Sequence, residues 1–284
     1  MILNLLKHRY DKYTTRGNDG IIEFILRKIQ IKKGFFVEFG AWDGIKNSNC
    51  KKLFEEGWDG IFIESDKNRY KQLKKNYIKF NNISCIHAKI GTKKNLFDNV
   101  IKLYLKNKKI DFCSIDIDGL DLEVFETFKK YMPTVICIEG GQMLHPCYKR
   151  IDASLAKYNI QQSLKVMVDS FKSKSYEILC SYQDSFFIKE DFYSYFNTEK
   201  NLLKLYFNGI KTSYHRCPFI KKYLKKVKLK NPIINYILKH SNYSKYKWEK
   251  RKLWAENEKE KILFLINKQE KIEIKKFLLQ KKKD

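Results

Sequence analysis

The sequence predicts an α/β fold with a doubly wound, mostly parallel sheet and an antiparallel last strand. Five short apolar runs are each followed by a stretch whose apolar residues recur at helical spacing. This alternation is typical of a parallel sheet covered by helices. Two further apolar runs are separated only by a short turn around Gln183 and Asp184, which predicts a terminal pair of strands.

Each element has its own local pattern. Asn18, Asp19 and Gly20 can begin the first helix, and Gly57 ends the second. The predicted strands are residues 35–39, 61–64, 83–88, 112–117, 135–139, 176–181 and 186–188. The predicted helices are residues 21–29, 48–56, 67–77, 96–105, 122–131 and 154–171.

The composition changes after about Asp191. Residues 192–284 are rich in lysine and tyrosine and contain one glycine, Gly209, while residues 248–279 have a charged amphipathic pattern. We therefore expect a catalytic domain over residues 1–191 and a basic, mostly helical C-terminal extension over residues 192–284.

The chain carries a net charge of +26, which raises the hypothesis of a nucleic-acid partner. Only seven of its 58 basic residues are arginine, and the others are lysine. Arginine is the better residue for contacts with phosphates and bases. Lysine, isoleucine, asparagine, phenylalanine and tyrosine all have AT-rich codons, so genome bias explains much of this charge. A nucleic-acid partner is an alternative that the sequence does not favour.

The sequence contains no run of about 18 apolar residues, the length needed to span a bilayer. The first six residues are too short for the apolar segment of a signal peptide. The seven cysteines show no Cys-x-x-Cys spacing, so we expect neither a disulfide framework nor a zinc site. These features favour a cytoplasmic protein.

The first strand ends in an acid and a glycine turn, a pattern typical of a cofactor loop. Glu38 is followed by Gly40 and Gly44, but bulky Trp42 stands where a dinucleotide-binding loop has its middle glycine. A pyrophosphate would fit poorly there, whereas Glu38 suits an ammonium group. Glu64 ends the second strand twenty residues after Gly44, a spacing that suits the hydroxyls of a ribose. The loop favours S-adenosylmethionine over NAD.

Other residues of this region have two interpretations each. Asp43 can contact the cofactor or cap a helix, and Ser65 can contact it or cap the next helix. His87 and Ala88 follow the third strand, where the adenine would lie, although a lone histidine is often a surface residue.

An acidic group follows the fourth and fifth strands. Asp116 or Asp118 could accept a proton from a hydroxyl, or Asp118 and Glu139 could hold Mg²⁺. In a metal-free arrangement Asp116 or Asp118 faces the cofactor, and Asp121 caps the following helix. His145, on the loop after the fifth strand, is the best candidate for a general base because its unperturbed pKa suits proton abstraction near neutrality.

Three segments together resemble the FkbM-type family of S-adenosylmethionine-dependent methyltransferases. They are residues 38–44 with Ser48 and Asn49, residues 57–64, and residues 114–121 with the Ile-Glu end of residues 135–139. The resemblance covers roughly residues 18–191. It implies a Rossmann-like methyltransferase sheet. The resemblance adds three residues to those expected at the cofactor, namely Ser48, Asn49 and Asp116. The full set of expected cofactor contacts is then Glu38, Gly40, Asp43, Gly44, Ser48, Asn49, Glu64, Ser65, His87, Ala88 and Asp116.

The resemblance also implies O-methyl transfer to a sugar, a glycan precursor or another small hydroxylated metabolite. Gly140, Gly141 and Gln142 replace the Tyr-Asn often found after the fifth strand in that family, so the acceptor pocket departs from its pattern. The alternatives are a nucleic-acid methyltransferase that uses the basic extension, and a non-catalytic binding protein of the same fold. A homodimer through the extension is a further possibility.

Overall fold

The computed structural model describes residues 2–105, 107–142, 144, 146–147, 149–158 and 160–213. Its centre is a seven-stranded sheet with the strand order β3-β2-β1-β4-β5-β7-β6. The strands are β1 (Phe35–Phe39), β2 (Asp59–Glu64), β3 (Ile83–His87), β4 (Phe112–Ile115), β5 (Val135–Glu139), β6 (Tyr176–Ser181) and β7 (Asp184–Lys189). This is the order of the Rossmann-like methyltransferase sheet, so the predicted fold class is confirmed.

The helices connect the strands and cover both faces of the sheet. They are α1 (Asn18–Lys28), α2 (Lys51–Glu55), α3 (Lys67–Tyr77), α4 (Phe97–Ile101), α5 (Asp121–Glu126), α6 (Leu164–Lys172) and α7 (Leu202–Ser213). Three 3-10 turns lie at Leu5–His8, Ala153–Tyr158 and Glu190–Tyr195.

The strand order reverses between β1 and β4, which pair in parallel with Phe39 opposite Ile115. Such a reversal leaves a crevice beyond the carboxyl ends of the strands, where doubly wound sheets bind ligands. Strand β7 is antiparallel to β5, and its first residue, Asp184, lies opposite Glu139. Asp184 therefore lies at the same edge of the sheet as the carboxyl ends of β1, β2, β4 and β5, which we call the carboxyl edge.

Alternate residues of each buried strand pack on opposite faces. Val37 and Ile63 belong to one core cluster, and Phe36 and Phe62 belong to the other. The first cluster includes a stack in which the ring of Phe171 lies 3.7 Å from that of Phe125 and 3.6 Å from that of Phe187. Both faces are apolar because helices cover both.

Several predicted helices are shorter in the structure. The predicted helix over residues 154–171 is wrong in its first half, which forms the 3-10 turn Ala153–Tyr158; α6 begins at Leu164, after the capping hydroxyl of Ser163. Helix α5 ends at Glu126, and the Asp98 carboxylate accepts hydrogen bonds from the backbone N–H groups of residues 129–131. Periodicity alone does not reveal these competing hydrogen bonds.

Helix α7 packs against the sheet beyond the predicted boundary at residue 191. Leu205 and Tyr206 belong to the first core cluster, and the Tyr206 hydroxyl donates to the carbonyl of Gln142 at 3.3 Å. Residues 214–284 of the predicted extension, including the amphipathic residues 248–279, lie outside the described residues. No helix in the described part of the chain is long and apolar enough to cross a bilayer.

The aromatic stack gives a stability prediction. Phe171→Ala should lower the free energy of unfolding by about 3–5 kcal/mol, because it removes a fully buried ring between two others. Ile78→Ala is the control, since Ile78 is 67% exposed and should change stability by less than about 0.5 kcal/mol. Urea unfolding followed by circular dichroism measures both, and equal effects would contradict the assigned core.

Candidate functional site

The loop after β1 meets the end of β4 at the carboxyl edge. Gly40 has φ +75°, and a Cβ built on it would lie 1.7 Å from the carbonyl oxygen of Asp116. The backbone N–H of Asp116 in turn donates to the Phe39 carbonyl at 3.3 Å. The two chains approach too closely here for any side chain at position 40. Gly40 therefore fixes the floor of the crevice between β1 and β4.

The Glu64 carboxylate closes this loop from the end of β2. One of its oxygens accepts from the backbone N–H of Trp42 at 2.7 Å, and the other accepts from that of Asp66 at 2.7 Å. Glu64 is only 3% exposed. The Ser65 hydroxyl also donates to the second of these oxygens, at 3.4 Å. Because each carboxylate oxygen has two lone pairs, Glu64 retains acceptor capacity on the oxygen bound to Trp42.

Trp42 adopts the left-handed conformation, with φ +53°. The Arg69 guanidinium lies 4.3 Å from the centre of its ring, and the Lys46 ammonium lies 4.9 Å from it. These cation–π contacts hold the indole.

Asp43 and Gly44 shape the end of the loop. The Asp43 carboxylate accepts from the backbone N–H groups of Ile45 and Lys46 at 2.9 and 2.8 Å, so it caps a local turn. Gly44 has φ +74° and lies against helix α3, where the Tyr77 hydroxyl donates to its carbonyl at 2.6 Å. The predicted capping of a helix by Asp43 is wrong, because α2 begins only at Lys51 and the hydrogen bonds of Asp43 lie in the loop before it.

Glu38 is buried beneath the loop and binds the chain that leads into α2. Its carboxylate accepts from the Ser48 hydroxyl at 2.6 Å and from the backbone N–H groups of Asn49 and Cys50 at 2.8 and 3.3 Å. The Ser48 hydroxyl also accepts from the backbone N–H of Lys51, the first residue of α2. Burial raises the pKa of Glu38 to about 7, because its hydrogen bonds offset only part of the cost of desolvation.

Asn49 links the loop to the centre of the sheet. Its side-chain amide donates to the Ser114 hydroxyl at 2.9 Å, and its oxygen accepts from the Asn18 amide at 2.8 Å. Asn18 also donates to the Asp184 carboxylate at 2.6 Å. Ser48 and Asn49 thus belong to the hydrogen-bond network that supports the loop.

The ends of β2 and β3 bring together the residues predicted near the adenine. The backbone N–H of Ala88 donates to the Glu64 carbonyl at 3.1 Å, and the exposed ring of His87 stacks on Tyr70 at 4.9 Å. The His87 Nε2 lies 3.1 Å from the carbonyl oxygen of Ser65. His87, Ala88 and Ser65 are therefore neighbours of Glu64.

An acidic cluster, Asp116, Asp118 and Glu139, lies beyond β4 and β5. One oxygen from each carboxylate lies within 4.8 Å of the others. Asp118 is exposed and has φ +59°, so the chain turns there and β4 ends at Ile115. Burial, together with the charges of Glu139 and Asp184, raises the pKa of Asp116 well above its usual range.

Asp121 supports the turn that carries this cluster. It is 1% exposed, and its carboxylate accepts from the backbone N–H groups of Ile117 and Gly119 at 2.8 Å each. Burial and the nearby Glu139 raise the pKa of Asp121 to about 8. Its carboxylate therefore holds the turn between β4 and α5. The predicted capping of the following helix by Asp121 is wrong, because the N-cap residue of α5 is Leu120 and no side chain of the described residues caps that end.

Sequence reasoning missed three residues of this edge. Arg16 donates to the Asp184 carboxylate at 2.7 Å and to the Glu139 carboxylate at 3.2 Å. Gln161 donates to the other oxygen of Glu139 at 2.8 Å. The sequence gives Asp184 only as a turn residue, and Arg16 and Gln161 carry no spacing signal; their roles come from the β5–β7 pairing.

The acidic cluster is a poor match for Mg²⁺. Glu139 already accepts hydrogen bonds at both oxygens, and the Arg16 guanidinium nitrogen lies 3.2 Å from one of them. A second cation at the same carboxylate would be repelled. His145, the predicted general base, lies outside the described residues.

The chain matches no protein-family model and no curated protein. Its likeness to solved structures is weak. TrmK of M. capricolum, solved with S-adenosylhomocysteine, is 12% identical with a TM-score of 0.40, over 86% of this chain and 97% of that one. A methyltransferase from Thiobacillus denitrificans, also with S-adenosylhomocysteine, is 11% identical with a TM-score of 0.36, over 88% and 94%.

A third similar structure is a S-adenosylmethionine-dependent methyltransferase from Aquifex aeolicus. It is 13% identical with a TM-score of 0.37, over 58% of this chain and 86% of that one. At TM-scores below 0.5 these matches decide nothing about this protein; the strand order and register identify its fold.

The contact at Gly40 gives the second prediction. Gly40→Ala should destabilise the protein by more than about 3 kcal/mol, because it adds a steric clash with the Asp116 carbonyl to the strain of a positive φ. Gly57→Ala is the matched control, with φ +80° and no atom closer than 3.4 Å to the added Cβ. The control should lose only about 1 kcal/mol. Equal losses in urea unfolding would contradict the close approach.

The raised pKa of Glu38 gives the third prediction. Its folded pKa of about 7 exceeds the unfolded value of about 4.3, so the folded state binds the extra proton and loses stability as the pH rises between them. From pH 5 to 8 the wild type should therefore lose about 2–3 kcal/mol more than Glu38→Gln. Glu55→Gln is the control. The pKa of Glu55 is lowered to about 2, below the tested pH range, so this variant should keep the wild-type slope. Parallel slopes for wild type and Glu38→Gln would disprove this titration.

Proposed function

We propose that this protein is an S-adenosylmethionine-dependent O-methyltransferase of the FkbM type, acting on a small hydroxylated metabolite or a glycan precursor. The observation that carries the proposal is the junction of the Gly40 loop, the Glu64 carboxylate and Asp116 at the point where the strand order reverses. A crevice of this kind is the usual ligand site of a doubly wound sheet.

The residues around the crevice match the parts of S-adenosylmethionine. Glu64 is buried, keeps a spare lone pair on the oxygen that binds Trp42 and lies at the end of β2, where a carboxylate can accept from ribose hydroxyls. Ala88 and His87 adjoin it on the adenine side. Glu38, with a pKa near neutrality, supports the loop and supplies negative charge beneath the ammonium end.

The same residues disfavour a dinucleotide. Trp42 stands at the middle position of the loop, and its backbone N–H already donates to Glu64. A pyrophosphate needs free backbone N–H groups and close approach to the loop, and Trp42 offers neither.

In the proposed reaction, the acceptor oxygen attacks the methyl carbon of the sulfonium, and the carbon–sulfur bond breaks with its electron pair on sulfur. The proton of the acceptor hydroxyl passes to a carboxylate. Asp116 is the group we assign to this role, because it follows β4 beside Gly40 and its carboxylate belongs to the acidic cluster beyond β4 and β5. The alignment of acceptor and methyl group supplies most of the rate enhancement.

Calorimetric titration tests the cofactor. The wild type should bind S-adenosylhomocysteine with a micromolar Kd and should not bind NAD⁺. Glu64→Ala should weaken S-adenosylhomocysteine binding by about tenfold or more, because hydrogen bonds to a charged group contribute about 1.5–3 kcal/mol.

The matched control is Asp98→Ala. Asp98 is also a carboxylate that accepts from backbone N–H groups, but its partners are residues 129–131, which precede β5 at the opposite edge of the sheet. It should leave the affinity within about twofold. Failure of the wild type to bind S-adenosylhomocysteine would overturn the proposed function.

A further inference from the structure

Arg16 makes a buried, forked contact at the carboxyl edge. Its two terminal nitrogens donate to Asp184 at 2.7 Å and Glu139 at 3.2 Å, and its side chain is 15% exposed. The two carboxylates are direct register partners across the antiparallel β5–β7 pair. A planar guanidinium suits this arrangement better than an ammonium, because it offers parallel donors in a fixed geometry.

The chain before α1 is folded so that it delivers Arg16 to this place. The Asp19 carboxylate accepts from the backbone N–H groups of Lys12, Tyr13 and Thr14 at 2.8, 2.8 and 2.9 Å. Gly17, which follows Arg16, has φ +89° and donates from its backbone N–H to Asp11. These local bonds fold the segment that precedes α1, and the Arg16 side chain makes none of them.

The charges at this edge are unbalanced. Five carboxylates gather there, on Asp116, Asp118, Asp121, Glu139 and Asp184, and Arg16 pairs with two of them. Burial acts to lower the pKa of Arg16, but the charges of Asp184, Glu139 and Asp116 raise it above its usual value. Arg16 is therefore a permanent positive charge among acids.

We infer that Arg16 is a positioning residue that sets the charge facing the cofactor's sulfonium and leaves Asp116, rather than Glu139 or Asp184, as the proton acceptor. This inference rests on the proposed function, since only S-adenosylmethionine brings a sulfonium to the crevice. Among the described residues no side chain donates a hydrogen bond to the Asp116 carboxylate, whereas Arg16 occupies Glu139 and Asp184.

The charge matters for the reaction because the sulfonium loses its positive charge as the methyl group leaves. Carboxylates that attract the sulfonium stabilise the ground state more than the transition state. Such preferential binding of the ground state does not raise the rate. Arg16 opposes this attraction. The positive charge of Arg16 also reduces the preference of the site for S-adenosylmethionine over its product, S-adenosylhomocysteine, which has no charge at sulfur. Without Arg16 the five acids would make that preference larger.

The test compares S-adenosylmethionine and S-adenosylhomocysteine on the full chain by calorimetry, at pH 8.5 in a buffer with EDTA. The two ligands differ in charge at sulfur, so the ratio of their Kd values reports the electrostatic environment there. Arg16→Gln should shift this ratio at least threefold in favour of S-adenosylmethionine. Arg16→Lys keeps the charge and should stay within about 1.5-fold of the wild-type ratio, even where both affinities weaken.

Arg150→Gln is the matched control for net charge. Arg150 pairs with Glu123 and Glu126 on α5 rather than with Glu139 or Asp184, and its side chain is 45% exposed, so its removal should leave the ratio unchanged. A purely structural role of Arg16 would weaken both ligands equally in Arg16→Gln, and that result would overturn this inference while the proposed function stands. Failure of the wild type to bind either ligand would overturn both.

Discussion

Buried carboxylates that accept backbone N–H groups hold the carboxyl edge of this sheet together. Glu38 binds the chain entering α2, Glu64 binds the loop at Trp42, and Asp121 binds the turn after β4. Loops carry backbone polar groups that the sheet does not satisfy, and one carboxyl group, with two acceptor oxygens, satisfies two or three of them at once. The rigid cradle around Gly40 depends on these three side chains.

This arrangement explains why residues that look like ligand contacts in the sequence are also structural. Ser48 and Asn49 sit beneath the loop and connect it to Asn18 and Ser114. Their proposed effect on the cofactor acts through the loop that they support. Glu64 differs from them, because it holds the loop directly through the backbone N–H of Trp42 and is also the residue that we propose binds the ribose.

The acidic character of the edge contrasts with the basic chain around it. A protein of net charge +26 gathers five carboxylates at the ends of β4, β5 and β7, with Arg16 between two of them. The local field at this edge is therefore not the field of the whole protein. Under the proposed function, the charges nearest to a methyl acceptor are those of the carboxylates and Arg16, and not those of the lysines elsewhere in the chain.

The sequence by itself determined the strands, their mostly parallel pairing and the positions of Gly40, Glu38 and Glu64, because apolar periodicity and glycine turns are local properties. The end of α5 escaped it, because the distant carboxylate of Asp98 binds the backbone that follows that helix. The start of α6 escaped it as well, because periodicity did not single out Ser163 as the cap. Only the tertiary structure brought Arg16 to Glu139 and Asp184, residues separated from it by more than 120 positions. Strand β7 inserts between β5 and β6, and that pairing across the sheet has no counterpart in local spacing.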